Sequence, residues 1–577
     1  MSKAPFLLCF FLTMLACGRP ANAEAAQKLQ ALADDFVNQT LSFDPTLAYE
    51  AGIATAANDR FSDRSPAALA AFEQKERDDL LALRQLDVSS LPPGSMAVYA
   101  NLREKLESDL QLRVCRTELW NVNHFDGWQS QLADVASAQP VDTAEERRQA
   151  LRRWASLPAF VAVEIDNLKR GLAQNYSAPK SVVLRVIRQM DELASAPPES
   201  SPFYSPASRT GDRAFKAAFK TLVQNKIDPA LIRYRDFLRS TYLAKARESV
   251  AVSDLPNGPA CYSAFLRAET TLDRPARAVF ELGRRTVAAN TKDVLAIGHR
   301  LYGTRDLEAT LASAKSASGE HFSEKSQLLA FSRDFLNRTK SRTAETLINR
   351  LPGQDVVVEP ERAFEEAGGV SSHLDVQPDK SKPAVYRIEL GNWANETRAE
   401  AEITAVHETL PGHHLQIALA RELAPATSLS KLLTIPAYQE GWARYAEGLA
   451  EEAGIYDLPE AAILRRVWPA RGMVVDPGIH AFHWSREQAI QYLVSTGRFT
   501  RKSADDEVDR IAVMPGQLTA YDSGALEIKA LRTDAQRRLG RRFDLKQFNQ
   551  VVLEEGVVPL SELKRHVSAW LDSRILH

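Results

Sequence analysis

The segment Ala405–Gln416, AVHETLPGHHLQ, places three histidines and a glutamate between positions 407 and 414 of a chain with only 11 histidines. Two histidines four residues apart on a regular helix point the same way and can share one zinc ion. The glutamate after the first is then left to act as general base. Here the fourth position after His407 is Pro411, and the next histidines are His413 and His414. Proline removes a backbone donor and clashes with the preceding turn, while Gly412 tolerates unusual dihedrals, so an irregular helix is expected. If the two inserted residues loop out as a bulge, His413 returns to the place of an ordinary fourth-position ligand and His414 faces away. If the helix runs on undisturbed, His414 shares the face of His407 but lies about 10 Å further along the axis, awkward for one small ion. His413 is therefore the expected partner and His414 the alternate.

A third protein ligand is needed, with the fourth position left open for water. The helical stretch AYQEGWARYAEGLAEEAG offers Glu440 and Glu447. Glu440 sits among apolar and aromatic neighbours, where an unpaired charge is costly. Arg510, ahead of the PGQ turn, is a candidate for binding a substrate carboxylate.

These residues need a frame. From about Ala26 to Leu351 apolar residues recur at three- and four-residue spacing, a mainly helical pattern. The rhythm breaks over Asp355–Leu390, where DVVVEP and AVYRIEL read as short strands. The second strand is expected to offer an open edge to an extended substrate, with Tyr386 as a substrate contact. Thr397, with Glu400 three positions on, forms a capping box that should start the helix carrying His407.

The 577 residues carry 72 basic and 74 acidic side chains, a net charge of −2. No Lys/Arg stripe interleaved with aromatics appears, which excludes the electrostatic footprint of a nucleic-acid binder. The N-terminus combines Lys3, the apolar run FLLCFFLTMLAC and a small-x-small site at Ala21–Ala23, a signal peptide over 1–23. MLAC, ending at Cys17, also reads as a degenerate lipobox, so membrane attachment is expected only if Cys17 is lipidated. No later segment is long and apolar enough to span a membrane. The chain is expected to be exported, to the periplasm or cell envelope. Cys115 and Cys261 then remain; an oxidising compartment allows a disulfide between them, but two isolated cysteines far apart in sequence are more often simply buried thiols.

HETLPGHHLQ, QEGWARYAEG, VDPGIHAFHWSREQAI and MPGQLTAYDSG together resemble a large bacterial family known as a domain of unknown function, of the zincin peptidase clan, with the signature His-Glu-x-x-Pro-Gly-His-His. FDPTLAYEAGI and PNGPACYSAFLRAETT extend the resemblance over nearly the whole mature chain. The family in turn resembles thermostable carboxypeptidases and neurolysin-type oligopeptidases. The resemblance implies a mainly α, two-lobed, zincin-like helical metallopeptidase with a small β-sheet beside the zinc helix and a deep cleft. Residues 24–577 would form one catalytic unit, divisible into a helical lobe at 24–250 and a zinc-binding lobe at 251–577. It implies one zinc ion per chain, held by His407, one of the following histidines and Glu440, with Glu408 as general base. MPGQLTAYDSGALEI resembles the carboxypeptidase segment that supplies a tyrosine to the cleft, which falls on Tyr521. Tyr521 and His480 are the candidate oxyanion donors. The function this reading gives is an exported zinc peptidase acting on short or unfolded peptides. The alternatives are a zinc amidase acting on another envelope component and a non-catalytic exported peptide-binding protein.

Overall fold

The computed structural model describes residues 21–55, 57–317, 321–361, 372–376, 381–423 and 427–575. The expected leader, Cys17 included, lies outside the described residues except for its last three positions. Helices follow one another from Ala21–Phe43 to Lys325–Thr346, three short strands intervene, and helices resume from Arg398–Glu408 to Leu560–Ile575. The chain is mainly helical with one small sheet, as its apolar periodicity requires. No described helix is long and apolar enough to cross a membrane.

The strands are β1 (Val356–Pro360), β2 (His373–Asp375) and β3 (Ala384–Ile388). The sheet order is β1-β3-β2, with β1 parallel and β2 antiparallel to β3. This corrects the expectation of an open edge on AVYRIEL, because β3 is the central strand and both its edges are paired. The segment between the two anticipated strands supplies the extra one, and β2 takes the outer position. Tyr386, in the middle of β3, is 2% exposed and belongs to the apolar core. It is therefore closed to a substrate, contrary to its assignment as a substrate contact.

Two large apolar cores stand out. One gathers Trp128, Trp154, Phe219 and Tyr234 from the helices between about 128 and 242. The other joins the sheet to Val406, Tyr438, Trp442, Ile528 and Val567. Smaller clusters cross the expected division at 250: Leu29 and Leu102 pack with Leu429 and Leu433, and Cys115 and Trp120 with Cys261 and Tyr262. In that last cluster Cys115 and Cys261, with Cα atoms 4.7 Å apart, form a disulfide instead of the two thiols expected. Packing joins two segments whose distance in sequence gave no sign of contact.

Candidate metal centre

The helix Arg398–Glu408 begins where its capping box places it. The Thr397 hydroxyl accepts from the Glu400 N–H at 3.1 Å, and the Glu400 carboxylate accepts from the Thr397 N–H at 3.2 Å. It ends at Glu408, the chain turns through Pro411 and Gly412, and a new helix starts at His413. The inserted residues thus act as a full break rather than a bulge in one continuous helix. The break is held from outside, since the Trp442 indole N–H donates to the carbonyls of Pro411 at 2.9 Å and Gly412 at 3.2 Å. It also demands glycine, because a Cβ at position 412 would lie 2.0 Å from the His407 carbonyl oxygen. The turn folds His413 back on His407, with ring centres 4.9 Å apart and ring planes nearly perpendicular at 88°.

The third group comes from the helix Pro436–Glu452. Glu440 Oε2 lies 3.3 Å from His407 Nε2 and 3.4 Å from His413 Nε2. Neither contact has hydrogen-bond geometry, and this buried oxygen has no hydrogen-bond partner. Donor atoms at zinc distances of about 2.0–2.2 Å in a tetrahedron stand roughly 3.3–3.5 Å from one another. The two separations to Glu440 therefore match a shared ion better than a hydrogen bond, and all three ligand atoms fall within 4.8 Å of one another. On chemistry and spacing, His407, His413 and Glu440 fit zinc.

The other nitrogen of His407 is also engaged. Nδ1 lies 2.9 Å from Glu447 Oε1, and Glu447 accepts from Arg444 at 2.8 and 2.9 Å. Such a carboxylate fixes the tautomer and the orientation of a metal-binding imidazole. Glu447, the second acidic candidate, thus engages the far nitrogen of His407 and stands outside the His407–His413–Glu440 group.

The buried carboxylates and imidazoles of this group shift one another's proton affinities. Burial opposes charge on His407, but Glu440 and Glu447, with Glu408 behind them, outweigh it and raise its pKa to about 10. Burial would raise Glu440, yet His413 and His407 hold it well below the carboxylate range. Glu408 is raised by burial, an effect that His413 and His407 reduce and Glu440 reinforces.

Tyr521 stands over this group, its ring 6.3 Å from that of His407 with planes 25° apart. It arrives there on the helix Gln517–Leu539, which crosses the Glu440 helix almost backbone to backbone. A Cβ on Gly441 would meet Gly524 Cα at 2.6 Å, and one on Gly524 would meet the Ala437 carbonyl oxygen at 1.7 Å. Burial, then the Glu440 charge, push the Tyr521 phenol up to about 12, with Arg510 acting against them. The phenol therefore keeps its proton at neutral pH and can donate a hydrogen bond.

Arg510 is tied into the same wall, donating to Gln517 Oε1 at 2.9 Å, while Gln517 Nε2 donates to the Tyr521 oxygen at 3.3 Å. His414 turns away, its Nε2 facing the Gln354 carbonyl at 3.0 Å, which removes it as a ligand. His480 is withdrawn too: the Val252 N–H donates to its Nδ1 and its Nε2 donates to the Ile511 carbonyl, both at 3.0 Å. With both ring nitrogens used and no exposed surface, it cannot serve as an oxyanion donor.

The family model described as "Bacterial protein of unknown function (DUF885)" matches residues 45–567. The chain belongs to this family. The crystal structure of a candidate lipoprotein from Colwellia psychrerythraea superposes with a TM-score of 0.87 at 22% identity, covering 95% of this chain and 99% of that one. A candidate lipoprotein of unknown function from Shewanella oneidensis reaches a TM-score of 0.76 at 18% identity, covering 93% of this chain and 99% of that one. At these identities the likeness concerns the fold. A curated relative, the 4-diphosphocytidyl-2-C-methyl-D-erythritol kinase of Xanthomonas oryzae pv. oryzae, is 24% identical over 197 residues, 34% of this chain. The match spans about half of that kinase's length, 55%.

Three polar groups near the site of this DUF885 chain escaped the sequence reading. Arg444 had a usable signal, because Glu440, Arg444 and Glu447 follow at helical spacing and share one face. Glu269 and Asp476 had none, since only packing brings their helices to the site. Burial, then Asp476 and Glu440, raise Glu269 to about 8. Asp476 accepts from the Tyr262 hydroxyl at 2.6 Å and from the Gly516 N–H at 2.9 Å.

Proposed function

We propose that this chain is an exported zinc-dependent peptidase of the zincin type, acting on short or unfolded peptides. One observation carries the reading. A buried Glu440 oxygen stands at ligand spacing from two imidazole nitrogens, hydrogen-bonded to neither, beside a glutamate that no ion needs.

His407, His413 and Glu440 would hold the ion, which when bound supplies a water of lowered pKa and polarises the scissile carbonyl. Glu408 follows His407 directly, and its upward-shifted carboxyl suits a group that takes the proton of the attacking water and passes it to the leaving amine. Tyr521 keeps its proton at neutral pH and would donate it as a hydrogen bond to the developing oxyanion. Arg444 and Glu447 hold His407 in register. Among the described residues β2 pairs only with β3, and His373 on β2 acts electrostatically on Glu408. The outer edge of β2 is thus where an extended peptide would add as a further strand.

The same chemistry would serve a zinc amidase acting on another envelope component. A non-catalytic peptide-binding protein has no need of Glu408. The candidate lipoproteins among the structural relatives and the Cys115–Cys261 disulfide both favour the cell envelope. The lipoprotein relatives also favour lipid attachment at Cys17.

Metal content by mass spectrometry on freshly purified protein, beside turnover of a peptide library, tests the reading. One zinc per chain is expected, with Glu408→Gln retaining the metal and losing turnover by about 10²–10⁴-fold. Protein that neither carries nor takes up zinc would refute the reading. Full activity in Glu408→Gln would remove Glu408 from the mechanism.

A further inference from the structure

Among the described residues, Phe125 is the one aromatic ring among the large apolar side chains left exposed, at 53%. Its loop is built rather than loose. Asn123 Oδ1 accepts from the N–H groups of Phe125 at 2.8 Å and Asp126 at 2.9 Å. Gln129 donates to the Asn123 carbonyl and Gln189 to the His124 carbonyl, each at 2.7 Å. A Cβ on Gly127 would strike the Asn123 carbonyl oxygen at 2.1 Å, so the chain closes tightly behind the ring. The ring is held by this fixed loop and by Arg510 beneath it, and about half of its surface is left in water.

The ring is joined to the metal centre by an unbroken run of contacts. It lies over the Arg510 guanidinium, 5.2 Å from ring centre to charge. Arg510 donates to Gln517, Gln517 donates to Tyr521, and the Tyr521 ring stacks on His407. Arg510, read from the sequence as a carboxylate binder, here braces both Phe125 and Gln517. Arg510, directly under Phe125, is close enough to Glu440 to feel its charge, so an extended peptide at about 3.3 Å per residue would span from the proposed centre to Phe125 within a few residues.

We propose that Phe125 is a specificity-determining residue, receiving an apolar, preferably aromatic, side chain of an extended peptide substrate at one fixed position a few residues from the scissile bond, with Arg510 as its positioning residue. The proposal rests on the peptidase reading. Arg510 backs one face of the ring, and the exposed face is free for the substrate side chain. Aromatic pairs gain over plain area burial, and glycine at that position forgoes both contributions.

The test is a peptide series that varies one position at a time among Phe, Leu, Gly and Asp on both sides of the cleaved bond. Wild type, Phe125→Ala and Phe125→Trp are compared, with zinc content measured for each. At one position wild type should favour Phe over Gly by about tenfold in kcat/KM, mostly through KM, and this ratio should collapse in Phe125→Ala and survive in Phe125→Trp. Equal ratios in wild type and Phe125→Ala at every position would overturn the proposal.

A binding arm separates this failure from that of the peptidase reading. Calorimetry would compare zinc-loaded Glu408→Gln with Glu408→Gln/Phe125→Ala, using the Phe and Gly peptides. If wild type cleaves no peptide, the peptidase reading falls, and Phe-selective binding lost in the double variant would still establish the subsite. No such selectivity in binding would overturn the subsite as well.

Discussion

Two Pro-Gly pairs in this chain stand shortly before a buried histidine, and they lead to opposite results. In Leu410-Pro411-Gly412-His413 the helix stops and restarts, and the histidine swings toward a Glu440 oxygen that has no hydrogen-bond partner. In Asp476-Pro477-Gly478-Ile479-His480 the proline is absorbed inside the helix Gly472–Phe482, and the histidine is satisfied by two backbone groups. What surrounds each dipeptide decides the outcome. The Trp442 indole draws two carbonyls out of the first segment, whereas Gly478 merely makes room for the Trp484 ring, which a Cβ would meet at 2.6 Å. A buried histidine between backbone partners is a neutral piece of core. His413 instead faces a carboxylate oxygen with no hydrogen-bond partner, where the proposed zinc would sit.

The sharpest way to break that contrast is metal content. His407→Ala, His413→Ala and Glu440→Ala should each abolish stoichiometric zinc. His480→Ala and His414→Ala should keep it, with His480→Ala losing about 2–4 kcal/mol of stability because the Val252 N–H and the Ile511 carbonyl lose their partner. Zinc lost in His414→Ala and retained in His413→Ala would reverse the assignment of the second ligand.

The glycines sharpen the comparison next. Gly412→Ala would set a Cβ against the His407 backbone carbonyl, which cannot move without moving the ligand, so metal should be lost along with local structure. Gly478→Ala meets a side chain instead and should cost about 1–3 kcal/mol with zinc retained. Thermal unfolding and metal analysis on both variants would separate the two effects. A smaller change is expected at Glu447→Gln, which leaves all three ligands in place and frees His407 Nδ1 from its carboxylate. Zinc affinity, measured by competition with a chelator, should fall about 10–100-fold.

Sequence reasoning reached what is local and periodic. The Thr397–Glu400 cap, β1 and β3, the helical run and the return of His413 to His407 all follow from rules that act over a few residues. It missed what only packing decides. The disulfide joins positions 146 residues apart, β2 is three residues long, and His480 lies next to a Pro-Gly pair that looks like the functional one. The preference for His413 over His414 follows from the Pro-Gly insertion, but the full helix break that realises it rests on Trp442, some 30 residues further along the chain.

The smallest effect concerns protons. Burial holds the His480 pKa down to about 3, against an ordinary value of 6.5, and the Ile511 carbonyl recovers only part of the difference. Below pH 6.5 the unfolded chain binds a proton at this position that the folded chain refuses. Folding stability contributed by neutral His480 is therefore complete above pH 6.5 and falls as pH drops toward 3, by about 1.4 kcal/mol per unit. Gln in its place can accept from Val252 and donate to Ile511 without titrating. Between pH 7.5 and pH 5 wild type should lose about 2 kcal/mol more than His480→Gln, read from urea unfolding at the two pH values. His414, held at about 4 by burial, should add a similar but smaller loss over the same window. Equal acid sensitivity in wild type and His480→Gln would mean that His480 accepts its proton in the folded state. It would then no longer be the neutral counterpart that the contrast with His407 and His413 requires.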